Sequence, residues 1–234
     1  MQLDSYRAVF FDVGGTLLTV HPSVGDVYAN EARLFGFEGS PDDLNIHFRQ
    51  AWKDLGGMES LGQQKGLEVE LGFWREVVRR TFDAAGGVEN FEDCFRQIYE
   101  AFRNKTAWRL YDDVEESRLL HELKERGVIL GVVSNWDSRL EEILTNLGIG
   151  DLFDFVLAST VVGSAKPDSL IFEEALRLSG VDPEEALHIG DEPATDIAGA
   201  RAVGIDALLI DRKNRFSDPS VPTISSFLEL TPAR

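Results

Sequence analysis

The chain holds a single cysteine, Cys94, among 234 residues, so no internal disulfide can close and no cysteine cluster can bind a metal. A lone thiol of this kind reads as a small packing residue in a reducing compartment. Basic residues are also scarce. Twenty-three lysines and arginines stand against 41 aspartates and glutamates, and the resulting net charge of −18 repels a phosphate backbone and disfavours nucleic acid as a partner. An anionic substrate can bind only where a metal ion, a lysine or helix amino-termini reverse that field. No apolar run approaches a membrane span, and Met1-Gln2-Leu3-Asp4-Ser5 lacks the basic start and apolar core of a secretion signal. The expectation is a cytoplasmic protein with no membrane partner. Internal repeats and low-complexity segments are absent as well, and periodicity alone leaves the oligomeric state open.

What the chain does have is a hydrophobic content of 43%, ample for a packed core. Five short, apolar, β-branched runs predict buried parallel strands: Ala8 to Phe11, Val128 to Val133, Phe155 to Ala158, Ala186 to Ile189 and Ala207 to Ile210. Helical spacing of apolar residues precedes each of the last four, at Leu119 to Arg126, Arg139 to Leu147, Leu170 to Leu178 and Thr195 to Ala202. Gly127, Gly148, Gly180 and Gly204 stand just past their ends as C-caps. Such alternation predicts an α/β fold, a doubly wound Rossmann-like parallel sheet.

Between the first two strands lie roughly a hundred residues, far beyond an ordinary crossover. They read as helical, with Leu44, Phe48, Trp52 and Leu55 on one face, Leu71, Trp74 and Val78 on another, and Phe91, Phe95, Ile98 and Phe102 on a third. These aromatics are expected to form a small helical core rather than a cofactor box. The spacing predicts a core domain over residues 1–20 and 106–234 and an inserted helical domain over 21–105. Thr19 to Pro22 and Thr106 to Asp112 are the two chain crossings.

The chemistry collects at the strand ends. Asp12 closes the first apolar run and is followed by Val13-Gly14-Gly15-Thr16. Ser134-Asn135-Trp136-Asp137 follows the second run, Lys166-Pro167-Asp168 lies in the loop after the third, and Gly190-Asp191 follows the fourth, with Asp196 just beyond. Each has a bland reading: a turn for Asp12, an N-cap for Ser134, a solvated lysine, a first-turn acid for Asp196. All of them, however, fall at the carboxyl ends of successive strands, where one cleft gathers them. Carboxylates, a hydroxyl and a lysine suit phosphoryl transfer, and Asp12 and Asp191 offer hard oxygen ligands to Mg²⁺.

In order and spacing these residues resemble the haloacid dehalogenase superfamily of aspartyl-phosphate hydrolases, over the whole chain. Asp12 with Thr16 matches its first motif, Ser134 the second, Lys166 the third, and Gly190-Asp191 with Asp196 the fourth. The helical insertion is similar to the family's C1 cap. SNWDSRLEEIL, FDFVLAS, KPDSLIFEEALRL and ARAVGIDALLI resemble a narrower group within it. The resemblance implies that Asp12 is the nucleophile and that Thr16, Ser134 and Lys166 hold the phosphoryl oxygens. It implies Mg²⁺ between Asp12, the Gly14 carbonyl and Asp191, with Asp196 as an acid orienting a metal-bound water or Lys166. Gly15 and Asn135 would border the phosphoryl group, and the cap would select a small phosphorylated molecule, with Arg49, Trp52, Lys53 and Arg75 as candidate cap contacts.

One position departs from the family pattern. The family's phosphatases usually carry a second aspartate two residues after the nucleophile, as acid and then base, and here that position is Gly14. A positioned acid or base contributes about 10² to 10⁴ in rate. Its absence points to substrates with an activated leaving group or to another proton donor, with His21, Asp137 and Lys53 as candidates. Three alternatives share the same residues: carbon–halogen hydrolysis; a phosphonatase using a cap lysine, Lys53 or Lys65; and a metal-binding regulatory module with weak catalysis.

Overall fold

The computed structural model describes residue 3 and residues 5–230. Met1, Gln2, Asp4 and residues 231–234, assigned above to the ends of the core domain, lie outside the described residues. Eight strands are present among them: β1 (Ala8–Phe11), β2 (Leu18–Val20), β3 (Trp108–Leu110), β4 (Ile129–Ser134), β5 (Phe155–Ala158), β6 (Ala186–Gly190), β7 (Asp206–Ile210) and β8 (Thr223–Ile224). Six form one parallel sheet in the order β5-β4-β1-β6-β7-β8. The chain leaves β1 on one side for β4 and β5, then returns across it to β6 and β7. The reversal falls at β1, and in open α/β sheets a crevice forms at that point, beyond the carboxyl ends of the strands.

Side chains alternate along β1, as the pleat requires. Val9 and Phe11 join a core cluster with Leu130, Val132, Leu187 and Ile189 on one face. Ala8 and Phe10 join Phe172, Ala175 and Ala200 on the other. Both faces are covered by helices, which explains why these strands read as continuous apolar runs. The covering helices include α5 (Leu119–Glu125), α6 (Leu140–Asn146), α7 (Ser169–Ser179) and α8 (Ala198–Ala202). They end at Gly127, Gly148, Gly180 and Gly204, each with positive φ, as the sequence predicts. No helix among the described residues is long and apolar enough to cross a membrane.

The insertion carries α1 (Val24–Ala32), α2 (Pro41–Leu55), α3 (Leu67–Ala84) and α4 (Phe91–Ala101). Tyr28, Leu44, Val78, Phe82, Phe95 and Ile98 pack together as a separate buried cluster, with Cys94 inside it. Burial pushes the Cys94 thiol up to about 11, which makes it a packing residue rather than a reactive one. At the crossings, β2 and β3 pair antiparallel, Leu18 opposite Leu110 and Val20 opposite Trp108. This two-strand tie and the two-residue β8 are too short to carry a readable alternation, and the sequence pattern does not reveal them.

Candidate active site

Four strand ends meet at one point. The backbone N–H of Asp12 donates to the Ile189 carbonyl (2.9 Å), continuing the β1–β6 pairing one residue past the strand and fixing the Asp12 Cα at the sheet edge. Its carboxylate is almost fully buried. Ser134 Oγ and Lys166 Nζ both donate to Asp12 Oδ1 at 2.8 Å, and Thr16 Oγ1 donates to Oδ2 at 3.3 Å. Ser134 is the last residue of β4 rather than the first after it, because its pairing with Ala158 extends the strand by one.

Lys166 is 2% exposed and also donates to Asp196 Oδ1 at 2.5 Å. Burial opposes its charge, but the Asp12 and Asp196 carboxylates outweigh that and hold its pKa above the ordinary lysine value. Asp196 sits on a π-helical turn, Pro193–Ile197, where the sequence pattern suggests a regular helix from Thr195. The turn lets Asp196 Oδ2 accept from the Glu192 N–H (3.0 Å) while Oδ1 faces Lys166 and His188 Nε2, the latter at 3.0 Å. Burial pushes the Asp196 carboxyl up, and Lys166 and His188 override this and leave it below its usual range.

Two glycines permit the close approach. A Cβ on Gly15 would stand 2.4 Å from Asp191 Oδ2, and Gly15 also holds a positive φ of 83°. A Cβ on Gly190 would stand 2.2 Å from the Asp196 carboxyl carbon. One oxygen each of Asp12, Asp191 and Asp196 lies within 4.8 Å of the other two. Asp191 is pushed up to about 7, first by burial and then by the charges of Asp12 and Asp196, with Arg215 (3.1 Å) offsetting this in part. Carboxylates crowded to that degree are short of positive charge. Hard oxygen donors in such a cluster fit a divalent cation of the Mg²⁺ type.

Asn135 makes contacts beyond the one expected of it. It borders the cleft, but its side chain is occupied with the third loop, accepting from the Lys166 N–H (2.7 Å) and donating to the Lys166 carbonyl (3.0 Å) and Glu59 Oε1 (2.9 Å). It positions Lys166.

The cleft encloses about 390 Å³ between the sheet edge and the insertion. Arg49 and Lys53 do not line it. On α2 the rings of Phe48 and Trp52 face the cleft, and residues one step further on lie about 100° round the helix, in solvent. Arg75 is likewise outside, paired with Glu92 at 3.1 Å, and Lys65 is exposed. His21 is exposed at a separate hollow beside Glu31 and Glu100. Asp137 is fully buried and fully engaged: Arg139 Nη2 and Trp74 Nε1 each donate to its Oδ2 at 2.6 Å, and Arg139 Nε to its Oδ1 at 2.9 Å. None of His21, Asp137 and Lys53 is placed to replace a proton donor at position 14. The aromatics expected to form a small helical core do pack into one, and Phe48, Trp52, Trp74 and Phe102 at its edge also line the cleft, together with Trp108 and Trp136.

Sequence reasoning missed Trp136, His188 and Arg215. Trp136 looked like part of an N-cap stretch, yet its ring stands 3.2 Å from a Cβ built on Gly14.

A parallel sheet whose strand-end acids, hydroxyl and lysine converge beneath a helical insertion defines a hydrolase of the strand-end aspartate class. Residues 6–204 match the family model of the haloacid dehalogenase-like hydrolases, and the chain belongs to that family. It is 37% identical to human haloacid dehalogenase-like hydrolase domain-containing protein 3, over 97% of this chain and 93% of the human protein. It is 36% identical to a phosphoserine phosphatase of Thermus thermophilus, over 91% and 92% of the two chains. The L-2-haloacid dehalogenase of Xanthobacter autotrophicus with chloropropionic acid covalently bound has the same fold, at TM-score 0.73 and 18% identity, over 96% of each chain.

Proposed function

We propose that this hydrolase is a Mg²⁺-dependent phosphohydrolase working through an aspartyl-phosphate at Asp12 on a small phosphorylated molecule with an activated leaving group. The observation that carries this reading is the convergence of Lys166 and Ser134 on one Asp12 oxygen inside a cluster of three acids. A carboxylate used as a nucleophile toward phosphorus needs positive charge and hydrogen-bond donors around the phosphoryl oxygens, and this site supplies both.

In the first step an Asp12 oxygen bonds to phosphorus as the bond from phosphorus to the leaving oxygen breaks, and the leaving group departs with the electron pair. In the second, water attacks phosphorus, its proton passes to a phosphate oxygen so that hydrogen phosphate is released, and the bond to Asp12 Oδ breaks to restore the carboxylate. Lys166, Ser134 and Thr16 stand around Asp12 where they can hand their hydrogen bonds to the phosphoryl oxygens. Asp196 keeps Lys166 charged and aimed. Asp12, Asp191 and the Gly14 carbonyl would hold Mg²⁺, whose charge neutralises the phosphoryl oxygens against the three acids. The insertion, residues 21–105, acts as the cap that excludes water and selects the substrate. A small molecule in the cytoplasm, rather than nucleic acid or a membrane, is the partner this reading gives.

Gly14 sets the leaving-group requirement. Without an acid there, an alkoxide must depart unprotonated, whereas an acyl or aryl oxyanion is already stable. Phosphate release from acetyl phosphate and from an alkyl phosphate, each with and without Mg²⁺ and with Asp12→Asn as blank, tests the reading. Metal-dependent turnover of acetyl phosphate that disappears in the blank is the expected result. Chloride release from a 2-haloacid without metal would replace the reading with carbon–halogen hydrolysis.

A further inference from the structure

The cleft has two ends of opposite character. The end at the sheet edge carries Asp12, Ser134, Lys166, Asp191 and Asp196. Away from it the wall is made of rings, among them Phe48, Trp52, Trp74, Phe102, Trp108 and Trp136, each half-buried. Trp108 and Trp136 lie 5.1 Å apart at the mouth of the phosphoryl end, and Trp52 stands 5.7 Å from Trp74 on the insertion side. Tyr28 and Tyr99 add hydroxyls to the same wall, and the Tyr99 hydroxyl is buried without a hydrogen-bond partner.

Charge is distributed as unevenly. Among the described residues, the cation on the lining besides Lys166 is Arg139, and its guanidinium is consumed by Asp137, the Tyr99 carbonyl (2.8 Å) and the Tyr99 ring (3.8 Å). The remaining charged groups facing the cleft beyond the three acids are Glu59 and Glu192, both negative. Among the described residues that line it, a substrate body bearing a second phosphate or a carboxylate would meet no free cation.

Gly14 joins the two ends. The space a side chain at this position would enter is already bordered by the Trp136 ring, 3.2 Å from the Cβ position. Where a proton donor would stand beside the leaving oxygen, this chain puts an indole ring. From this, and resting on the phosphohydrolase reading above, we infer that the substrates are aryl phosphate monoesters: a phosphoryl group on a planar, largely apolar body without a second anionic group, its ring lodged among Trp52, Trp74, Trp108 and Trp136. As Asp12 Oδ bonds to phosphorus, the bond from phosphorus to the aryl oxygen breaks and the electron pair leaves on a phenolate. That anion takes its proton from water after release, so the reaction balances without an acid at position 14. The aromatic wall supplies binding energy at the leaving-group side, and the resonance of the ring supplies what the missing acid does not.

The experiment compares kcat/KM for 1-naphthyl phosphate, acetyl phosphate and phosphoserine with Mg²⁺ present, in the full chain and in Trp136→Leu and Trp52→Leu, with Asp12→Asn as blank. Naphthyl phosphate is expected to lead acetyl phosphate and phosphoserine by about tenfold or more, and each tryptophan variant to reduce the naphthyl-to-acetyl ratio by about tenfold, mainly through KM. Two separate sites on the wall keep the test usable if one variant fails to fold. Turnover of acetyl phosphate with naphthyl phosphate no better, or with phosphoserine preferred, overturns the aromatic assignment and leaves the Asp12 chemistry standing. A ratio unmoved in both folded variants also overturns it. No release from any of the three overturns the phosphohydrolase reading and the substrate assignment with it.

Discussion

The two walls of the cleft are built by different rules. The phosphoryl wall is assembled from strand ends, where the hydrogen-bond register places each Cα and two close-packed glycines, Gly15 and Gly190, let the carboxylates approach. Its groups are held by one another: Lys166 by Asp12 and Asp196, Asp196 by His188 and the Glu192 N–H, Asp191 by Arg215. The aromatic wall comes from the insertion, from β3 and from the loop after β4, and its position depends on how the insertion docks. That docking is polar and buried. Glu70, on α3, accepts from Ser138 N–H (3.0 Å), Ser138 Oγ (2.6 Å) and Thr160 Oγ1 (2.6 Å), and Arg139 reaches from the core side to the Tyr99 carbonyl. A rigid chemical end and a separately latched selective end can change independently, one setting the reaction and the other the substrate.

The largest effect should come from the chemical wall. Asp12→Asn keeps the shape but removes the nucleophile, and loss of a covalent catalyst of this kind costs on the order of 10⁴ or more in kcat. Steady-state phosphate release measures it, and a loss of under tenfold would mean that Asp12 is not the reacting group.

Next comes the latch. Arg139→Met leaves Asp137 buried at 0% exposure without its cation, and breaking a buried pair by removing one partner typically costs about 3 to 5 kcal/mol. Urea unfolding should show that loss. Asp137→Asn with Arg139→Met together should recover part of it, which would separate charge burial from lost packing.

Metal loading should have a smaller, separable signature. A cation that binds the folded acid cluster alone stabilises it by about 2.7 kcal/mol at a hundredfold excess over its Kd. Thermal unfolding with and without Mg²⁺ should show an upward shift that Asp191→Asn removes. Equal shifts in both proteins would place the ion elsewhere.

The smallest effect concerns the brace behind the nucleophile loop. Arg212 bridges the Thr16 carbonyl (2.7 Å) and Asp113 (2.7 Å), and Asp113 also accepts from Ser226 Oγ and the Phe227 N–H. Burial raises the Asp113 carboxyl, but these donors outweigh it and hold its pKa below the ordinary aspartate value. A depressed carboxyl contributes stability that is fully present above about pH 4 and is lost as pH falls through the folded-state value. Asp113→Asn should therefore flatten the acid limb of the stability profile and cost roughly 1.5 to 3 kcal/mol at neutral pH. An unchanged acid limb would remove Asp113 from that role.

How much was legible follows the same division. Strands β1 and β5 were readable to the residue and β4, β6 and β7 to within one, because strands buried on both faces leave unbroken apolar runs. Asp12, Ser134, Lys166, Asp191 and Asp196 were legible because a strand end gives a side chain a fixed destination. Of the candidate cap contacts, Trp52 lines the cleft, whereas Arg49, Lys53 and Arg75 do not. Arg49 and Trp52 lie three residues apart on one amphipathic helix, and which of them faces the cleft is decided by the docking of α2 rather than by its own pattern. The role of Trp136 was hidden for a related reason: its meaning comes from Gly14, which is 122 residues away in the chain and adjacent in space.

The central claim is covalent chemistry at Asp12, and its most direct test is a single-turnover reaction with radiolabelled acetyl phosphate and Mg²⁺, quenched in acid within the first turnover and digested for peptide analysis. The account predicts label on the peptide that contains Asp12, cleared by a chase and absent in Asp12→Asn. Labelled phosphate released at the full rate with no labelled peptide at any quench time would contradict it.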